Sequence, residues 1–155
     1  MFLGIPHESL RTILLKPWFE MEIVHHFQRK DFIPAPRVDV VMLRLRKRGP
    51  PLVYNADQHR FRDFVVYIFT GRQPMLSTTL KSIFTRQQLK YIQRSLNFDL
   101  NGTPTSLSFE QWLSLFECFK MSGNERAMQV ISGSEKRLAQ QQNQLQKIHR
   151  TRSAR

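Results

Sequence analysis

The stretch DFIPAPRVDVVMLRLR, residues 31–46, sets the architecture of the first third of this 155-residue chain. Pro34 and Pro36 exclude a central strand from its first half, because proline has no N–H to donate to a sheet, so this half is predicted to be a stiff extended loop. Val38–Arg46 predicts a strand. Its apolar first half and alternating second half are typical of a strand that is buried at one end and exposed at the other.

The segments on either side of this stretch extend the same unit. Glu8–Lys16 predicts a short helix that ends at Pro17, and Met21–Phe27 predicts a second strand. Residues 49–51, Gly-Pro-Pro, are the strongest candidate for a linker.

After the linker the apolar spacing becomes helical, and residues 55–121 are predicted to form a small all-helical module. Two capping boxes mark helix starts within it, one at Thr85 with Gln88 and one at Ser108 with Gln111. Each box is flanked by apolar residues at the spacing of a hydrophobic staple. A module of this size is near the lower limit for independent folding.

Residues 122–155 contain no aromatic residue and are rich in glutamine and arginine. Such a composition predicts a basic disordered tail, because it offers little apolar surface to bury. A weak helical stripe of Leu138, Leu145 and Ile148 is the alternative.

The charge balance favours a polyanionic partner. Lysine and arginine total 24 against 12 acidic residues, a net charge of +12. No apolar run approaches the roughly 18 residues needed to span a bilayer, and we expect no signal peptide and no membrane partner. The single cysteine, Cys118, excludes an internal disulfide and is typical of a cytoplasmic protein.

Two stretches resemble one known family. Residues 32–39, FIPAPRVD, are similar to the F-x-P-x-P-[KR]-V-[DN] signature of the ribosomal RNA adenine dimethyltransferases. Residues 83–89, IFTRQQL, and 107–116, LSFEQWLSLF, are similar to the C-terminal helical domain of the Erm-type enzymes in that family. The resemblance covers residues 1 to about 120.

The resemblance implies an α+β fold and an activity. Residues 1–50 would be the end of the catalytic domain, with the last two antiparallel strands of a Rossmann-like methyltransferase sheet. Residues 55–121 would be a helical RNA-binding domain, and 122–155 a basic tail. Family members transfer methyl groups from S-adenosylmethionine to the exocyclic nitrogen of an adenine in 23S ribosomal RNA, which confers resistance to macrolide, lincosamide and streptogramin B antibiotics.

The resemblance also assigns residues, each with a structural alternative. Phe32 matches the family phenylalanine that stacks on the target adenine, although a core plug beside two prolines would show the same pattern. Arg37 occupies the family's Lys/Arg position. Two further groups are candidates for RNA contact, or else ordinary solvated faces: the hairpin run Arg44, Arg46, Lys47 and Arg48, and the helix-spaced Arg86, Lys90 and Arg94.

The residues of a methyl-donor site are missing from the sequence. Such a site needs a glycine-rich turn after a strand, whereas the six glycines are scattered at positions 4, 49, 71, 102, 123 and 133. No asparagine begins the family's Asn-[Leu/Ile]-Pro-[Tyr/Phe] motif. We therefore expect the chain to be a C-terminal part of an enzyme, with no catalytic residue, no bound S-adenosylmethionine and no activity alone.

Other functions are weaker interpretations of the same residues. His25 and His26 are adjacent, which is poor spacing for a metal site, so no metal is expected. A non-enzymatic basic RNA-binding module remains the main alternative. A DNA-binding protein that uses residues 86–96 as a recognition helix is a third hypothesis. Strands 21–27 and 38–46, without parallel neighbours, should leave an apolar face uncovered and make the chain poorly soluble alone.

Overall fold

The computed structural model describes residues 3, 7–71, 75–122 and 124–152, with side chains described as far as residue 145. Its regular elements run in the order α1 (Leu10–Leu15), β1 (Phe19–Phe27), β2 (Val40–Lys47), α2 (Gln58–Phe69), α3 (Leu76–Leu80), α4 (Arg86–Leu96), α5 (Phe109–Met121), α6 (Glu125–Ile131) and α7 (Ser134–Arg152). Short 3₁₀ turns at Arg29–Asp31, Asn55–Asp57 and Pro104–Ser106 join some of them. The fold is α+β, as expected.

The two strands form an antiparallel hairpin. Met21 faces Leu45 and Ile23 faces Leu43, and a register shift between Ile23 and His25 interrupts the pairing. Because side chains alternate across a strand, these apolar pairs share one face of the hairpin. The other face carries charged cross-strand pairs at the same end, Glu20 with Arg46 and Glu22 with Arg44.

The expected burial of the first half of β2 is confirmed only in part, since Val40 and Val41 are half-buried, not fully buried, whereas residues 44–47 are exposed. Val38 lies before the strand and is 69% exposed, and Met42 within it is 50% exposed. The part of the chain that the structure describes contains only these two strands, and no residue of either strand is fully buried. Leu45, which is 50% exposed, belongs to the uncovered apolar face that the sequence predicts.

The core lies in the helical part of the chain, where α2 packs against α5. Phe64 of α2 contacts Phe116 and Phe119 of α5, with ring centroids 5.6 and 5.0 Å apart, and all three side chains are fully buried. Burial of each such ring contributes about 1.5–3 kcal/mol. The same cluster includes Ile13 of α1 and Ile131 of α6, so it draws on residues outside 55–121.

Both predicted capping boxes are confirmed. The Thr85 hydroxyl accepts from the Gln88 N–H at 3.3 Å, and the Gln88 side chain accepts from the Thr85 N–H at 2.8 Å. Ser108 and Gln111 repeat this exchange at the start of α5. The Gln111 amide also donates to the Leu96 carbonyl at 2.9 Å, which fastens the end of α4 to the start of α5.

The expectation of a disordered tail is wrong for residues 125–152, which form α6 and α7. Ala127 and Ile131 of α6 are buried in the core. Asp63 of α2 caps the start of α7, because its carboxylate accepts the backbone N–H groups of Gly133 at 2.8 Å and Glu135 at 2.9 Å. These partners are distant in sequence, so tail composition does not reveal them. From residue 139 to 145 every residue of α7 is exposed.

Removal of the Asp63 cap should loosen α7. We expect Asp63→Ala to lower the free energy of unfolding by about 1–2 kcal/mol, because two charge-assisted hydrogen bonds at a helix N-terminus are lost. Urea denaturation followed by circular dichroism measures the change. Asp39→Ala is the matched control, since Asp39 is exposed and accepts no hydrogen bond from any residue that the structure describes. Equal stability of the two variants would contradict the cap.

Candidate nucleic-acid interface

Phe32 lies in the loop between β1 and β2, directly after the 3₁₀ turn Arg29–Asp31. The Asp31 carboxylate accepts the Gln28 N–H at 2.8 Å and closes this turn. The Phe32 ring is partly buried and meets the Phe27 ring edge to face, with centroids 5.3 Å apart. The loop continues through a cis Ile33–Pro34 bond. Phe32 therefore keeps some exposed surface and is not a plug of the main core.

A row of rings fixes the orientation of Phe32. His25 packs edge to face on Phe27 at 4.7 Å, and Phe27 in turn packs on Phe32. An aromatic ring that is held at one edge and partly open can replace the stacking that an extruded base loses. Arg37, five residues further along the same loop, is exposed. Sequence reasoning missed the supporting role of Phe27, which only the hairpin geometry reveals.

The four hairpin cations differ in their surroundings. Arg48 is engaged with the protein: its Nε donates to the Lys16 carbonyl at 2.9 Å, and its Nη1 lies 3.7 Å from a carboxylate oxygen of Glu20. Arg44 lies 3.4 Å from Glu22 across the hairpin. Arg46 and Lys47 are exposed, and neither has an acidic partner within 4.0 Å in the described part of the chain.

The second group of cations lies on α4. Arg86, Lys90 and Arg94 are exposed, whereas Leu89 and Ile92 on the other side of the helix are buried in the core. Successive cations are four residues apart, a rise of about 6 Å along the axis. Within the described residues none of the three forms an ion pair. The helix therefore presents a row of cations, the α4 basic face, to solvent.

Sequence reasoning also missed Tyr91, which is 71% exposed and lies between Lys90 and Arg94 on α4. The sequence does carry a signal for this residue, because it is an aromatic residue outside the apolar spacing of the helix. Interleaved cations and aromatic rings are typical of surfaces that bind single-stranded nucleic acid.

Three glycines of the described chain can be compared with the glycine-rich turn of an S-adenosylmethionine site. A donor site needs neighbouring glycines between a strand and a helix. Gly49 follows β2 and faces open space on the side where a side chain would project, Gly102 lies in a turn against Ser106, and Gly133 has φ +72° between two helices. None of these three glycines has another glycine beside it.

The described residues contain no group of three or more His, Cys, Asp or Glu side chains that could hold a metal ion. None of the helices in the described ranges is long and apolar enough to cross a membrane.

Comparisons with known proteins agree with the resemblance. Residues 5–121 match the family model for ribosomal RNA adenine dimethylase. An rRNA adenine N-6-methyltransferase of Saccharopolyspora erythraea is 30% identical over 125 residues, which cover 81% of this chain and 33% of that protein. An rRNA adenine N-6-methyltransferase of Bacillus licheniformis is 32% identical over 102 residues, which cover 64% of this chain and 34% of that protein.

A solved structure is similar over the same region. The crystal structure of the 23S rRNA methyltransferase ErmE superposes with a TM-score of 0.63 and 30% identity, covering 74% of this chain and 47% of that one. The chain belongs to the ribosomal RNA adenine dimethylase family and is similar to its Erm-type members. It spans about a third of the length of the curated relatives that it matches.

Because Arg48 contacts the protein and Arg46 does not, we expect their substitution by alanine to lower the stability by different amounts. Arg48→Ala should lower the free energy of unfolding by about 1 kcal/mol, because a partly exposed, charge-assisted hydrogen bond to a backbone carbonyl is removed. Arg46→Ala, the matched control on the same strand end, should change it by less than about 0.5 kcal/mol. Thermal or urea unfolding measures both values. A larger loss of stability with Arg46→Ala than with Arg48→Ala would contradict the assignment of Arg48 as the arginine that stabilises the fold.

Proposed function

We propose that this chain binds ribosomal RNA and forms the adenine-accepting part of an Erm-type 23S rRNA adenine N6-methyltransferase. The α4 basic face carries the proposal. Three exposed cations with no acidic partner in the described part of the chain lie on one side of a helix whose other side is anchored in the core. Fixed cations at regular spacing suit a phosphate backbone.

The physical basis of binding is the release of counterions. Each cation that neutralises a phosphate frees a condensed ion, so affinity falls as salt rises. A net charge of +12 steers the chain towards RNA, and the side chains of Arg37, Arg46 and Lys47 add contacts at the hairpin. Arg44 and Arg48, which lie near carboxylates, contribute less to this surface.

Phe32 is proposed as one wall of the adenine pocket. An adenine extruded from RNA needs an apolar surface against its ring, and the partly open Phe32 ring offers one that the Phe27 ring supports. In this proposal the hairpin is the last strand pair of a Rossmann-like sheet. A free strand edge of the hairpin would then pair with the remainder of that sheet, and apolar pairs such as Met21 with Leu45 would be covered by helices.

The domain organisation follows the same proposal. Residues 1–50 belong to the catalytic domain, 55–121 to the RNA-binding domain, and 122–155 form a basic extension. The buried Ile13 and Ile131 would tie the flanking segments to the helical core.

The methyl donor is not expected to bind these 155 residues. S-adenosylmethionine supplies the methyl group in the family, and the glycine positions described above do not suit it. The chain alone should therefore bind RNA without methylating it. The whole enzyme would act in the cytoplasm, on 23S ribosomal RNA, and confer resistance to macrolide, lincosamide and streptogramin B antibiotics.

Binding to an RNA hairpin tests the proposal. We expect the triple variant Arg86→Ala, Lys90→Ala, Arg94→Ala to weaken binding and to reduce the slope of log affinity against log salt by about two to three units, because three phosphate contacts are lost. Fluorescence anisotropy over a salt series measures the slope. A duplex DNA of equal length should bind more weakly than the RNA.

The matched control is Gln87→Ala with Ser95→Ala, which changes two exposed, uncharged residues on the same helix. Its salt slope should equal that of the original chain. An unchanged slope for the triple variant would refute the role of the α4 basic face, and tighter binding of duplex DNA would favour the DNA-binding hypothesis.

A further inference from the structure

A shallow cleft of about 240 Å³ lies between α4 and the C-terminal end of α5. Phe84 and Ile92 form its floor and are almost fully buried. Its two rims are Tyr91, which is 71% exposed, and Met121, which is 86% exposed. We call this cleft the α4–α5 slot. Its floor is anchored to the core, because Phe84 packs edge to face on Phe119 at 6.5 Å.

The slot is mainly apolar. Cys118 lines it between the two rims and is partly buried. Burial raises the pKa of the Cys118 thiol above its ordinary value, so this side chain stays neutral at physiological pH and serves as another apolar surface. The exposed rims and the absence of charge on the lining suit a flat ring that enters from solvent.

One polar side chain in the slot is fixed in orientation. The Gln88 Oε1 atom accepts the Thr85 N–H at 2.8 Å in the capping box, which positions the whole carboxamide. The Gln88 Nε2 group donates to no side chain or carbonyl in the described part of the chain. Gln88 lines the slot, and its two N–H donors are available to ring nitrogen or carbonyl acceptors of a base.

Charges around the slot favour a phosphate backbone. Lys90 and Arg94 of the α4 basic face flank the Tyr91 rim in sequence. The acidic residue nearest in sequence to Cys118 is Glu117, which lies 2.9 Å from Lys120. The hydrogen bond with Glu117, followed by one with Asp57 at 3.0 Å, raises the pKa of the Lys120 ammonium, so Lys120 stays positively charged beside both carboxylates.

We propose that the α4–α5 slot binds one unstacked RNA base, which stacks on Tyr91 while the adjoining phosphates contact the α4 basic face. The volume is below the roughly 300 Å³ at which pockets for drug-sized ligands begin, so it suits a single ring system and is too small for a peptide helix. This inference rests on the proposed function, since it names a second feature of the RNA that the same surface would hold.

Two RNA hairpins of matched sequence test the slot. One carries a single bulged 2-aminopurine, and in the other the same 2-aminopurine is paired with uracil. The full chain should bind the bulged hairpin more tightly and quench its 2-aminopurine fluorescence. Tyr91→Ala should weaken binding of the bulged hairpin about fivefold to hundredfold, because stacking of one base is lost. Binding of the paired hairpin should stay unchanged.

Three further variants separate the contributions of the Tyr91 ring, the Met121 rim and general surface changes. Tyr91→Phe should retain the preference for the bulge, because it keeps the ring. Met121→Ala should reduce that preference, because it removes the opposite rim. Tyr54→Ala is the matched control, since Tyr54 is 75% exposed and lies outside the slot. Circular dichroism checks that all variants are folded, and the exposure of Tyr91 makes a folding defect unexpected.

The outcomes distinguish the slot from the proposed function. Failure of the original chain to bind either hairpin would refute RNA binding, and the slot with it. Equal binding of the two hairpins, weakened by the α4 triple variant, would retain the proposed function and overturn the slot alone. A preference for the bulge, or a quench, that survives Tyr91→Ala would also overturn the slot.

Discussion

The contact between α2 and α5 holds the candidate surfaces in place. Phe64 packs among the rings of α5, and Phe61 meets Phe116 at 5.1 Å on one side and Trp18 at 5.9 Å on the other. Trp18 stands just before β1, so this row of rings links the hairpin to the helical core. Loss of one side chain from this row of rings would lower the stability of the fold by a few kcal/mol. That loss would affect both the Phe32 loop and the α4 basic face.

Polar contacts then fix the positions of α7 and of the hairpin around that core. Asp63 and Arg62 of α2 hold the start of α7, with Arg62 Nε 2.8 Å from the Glu135 carboxylate. Arg48 holds the hairpin end to the backbone of Lys16. Arg62 and Arg48 thus stabilise the fold with positive charges that would otherwise count towards RNA binding. The net charge of the chain thus overstates the number of cations that are free to contact phosphate.

Local signals predicted the elements well. The two capping boxes are visible in sequence because their partners are three residues apart, and both strands follow from alternation and the position of prolines. Contacts between residues that are distant in sequence could not be predicted from local patterns. Disorder was wrongly expected for residues 125–152, because Asp63, which caps α7, is 70 residues from Gly133. The contacts of Arg44 and Arg48 with carboxylates depend on the register of the hairpin. That register includes a shift after Ile23. The site roles of Phe32, Arg37 and the α4 cations remain predictions.

The central claim is that these residues accept RNA but do not hold the methyl donor. Isothermal titration of the full chain, first with S-adenosylmethionine and then with a hairpin of 23S ribosomal RNA, tests it most directly. The account predicts saturable binding of the RNA and no binding of S-adenosylmethionine. Saturable binding of S-adenosylmethionine, or transfer of its labelled methyl group to the RNA by this chain alone, would contradict it.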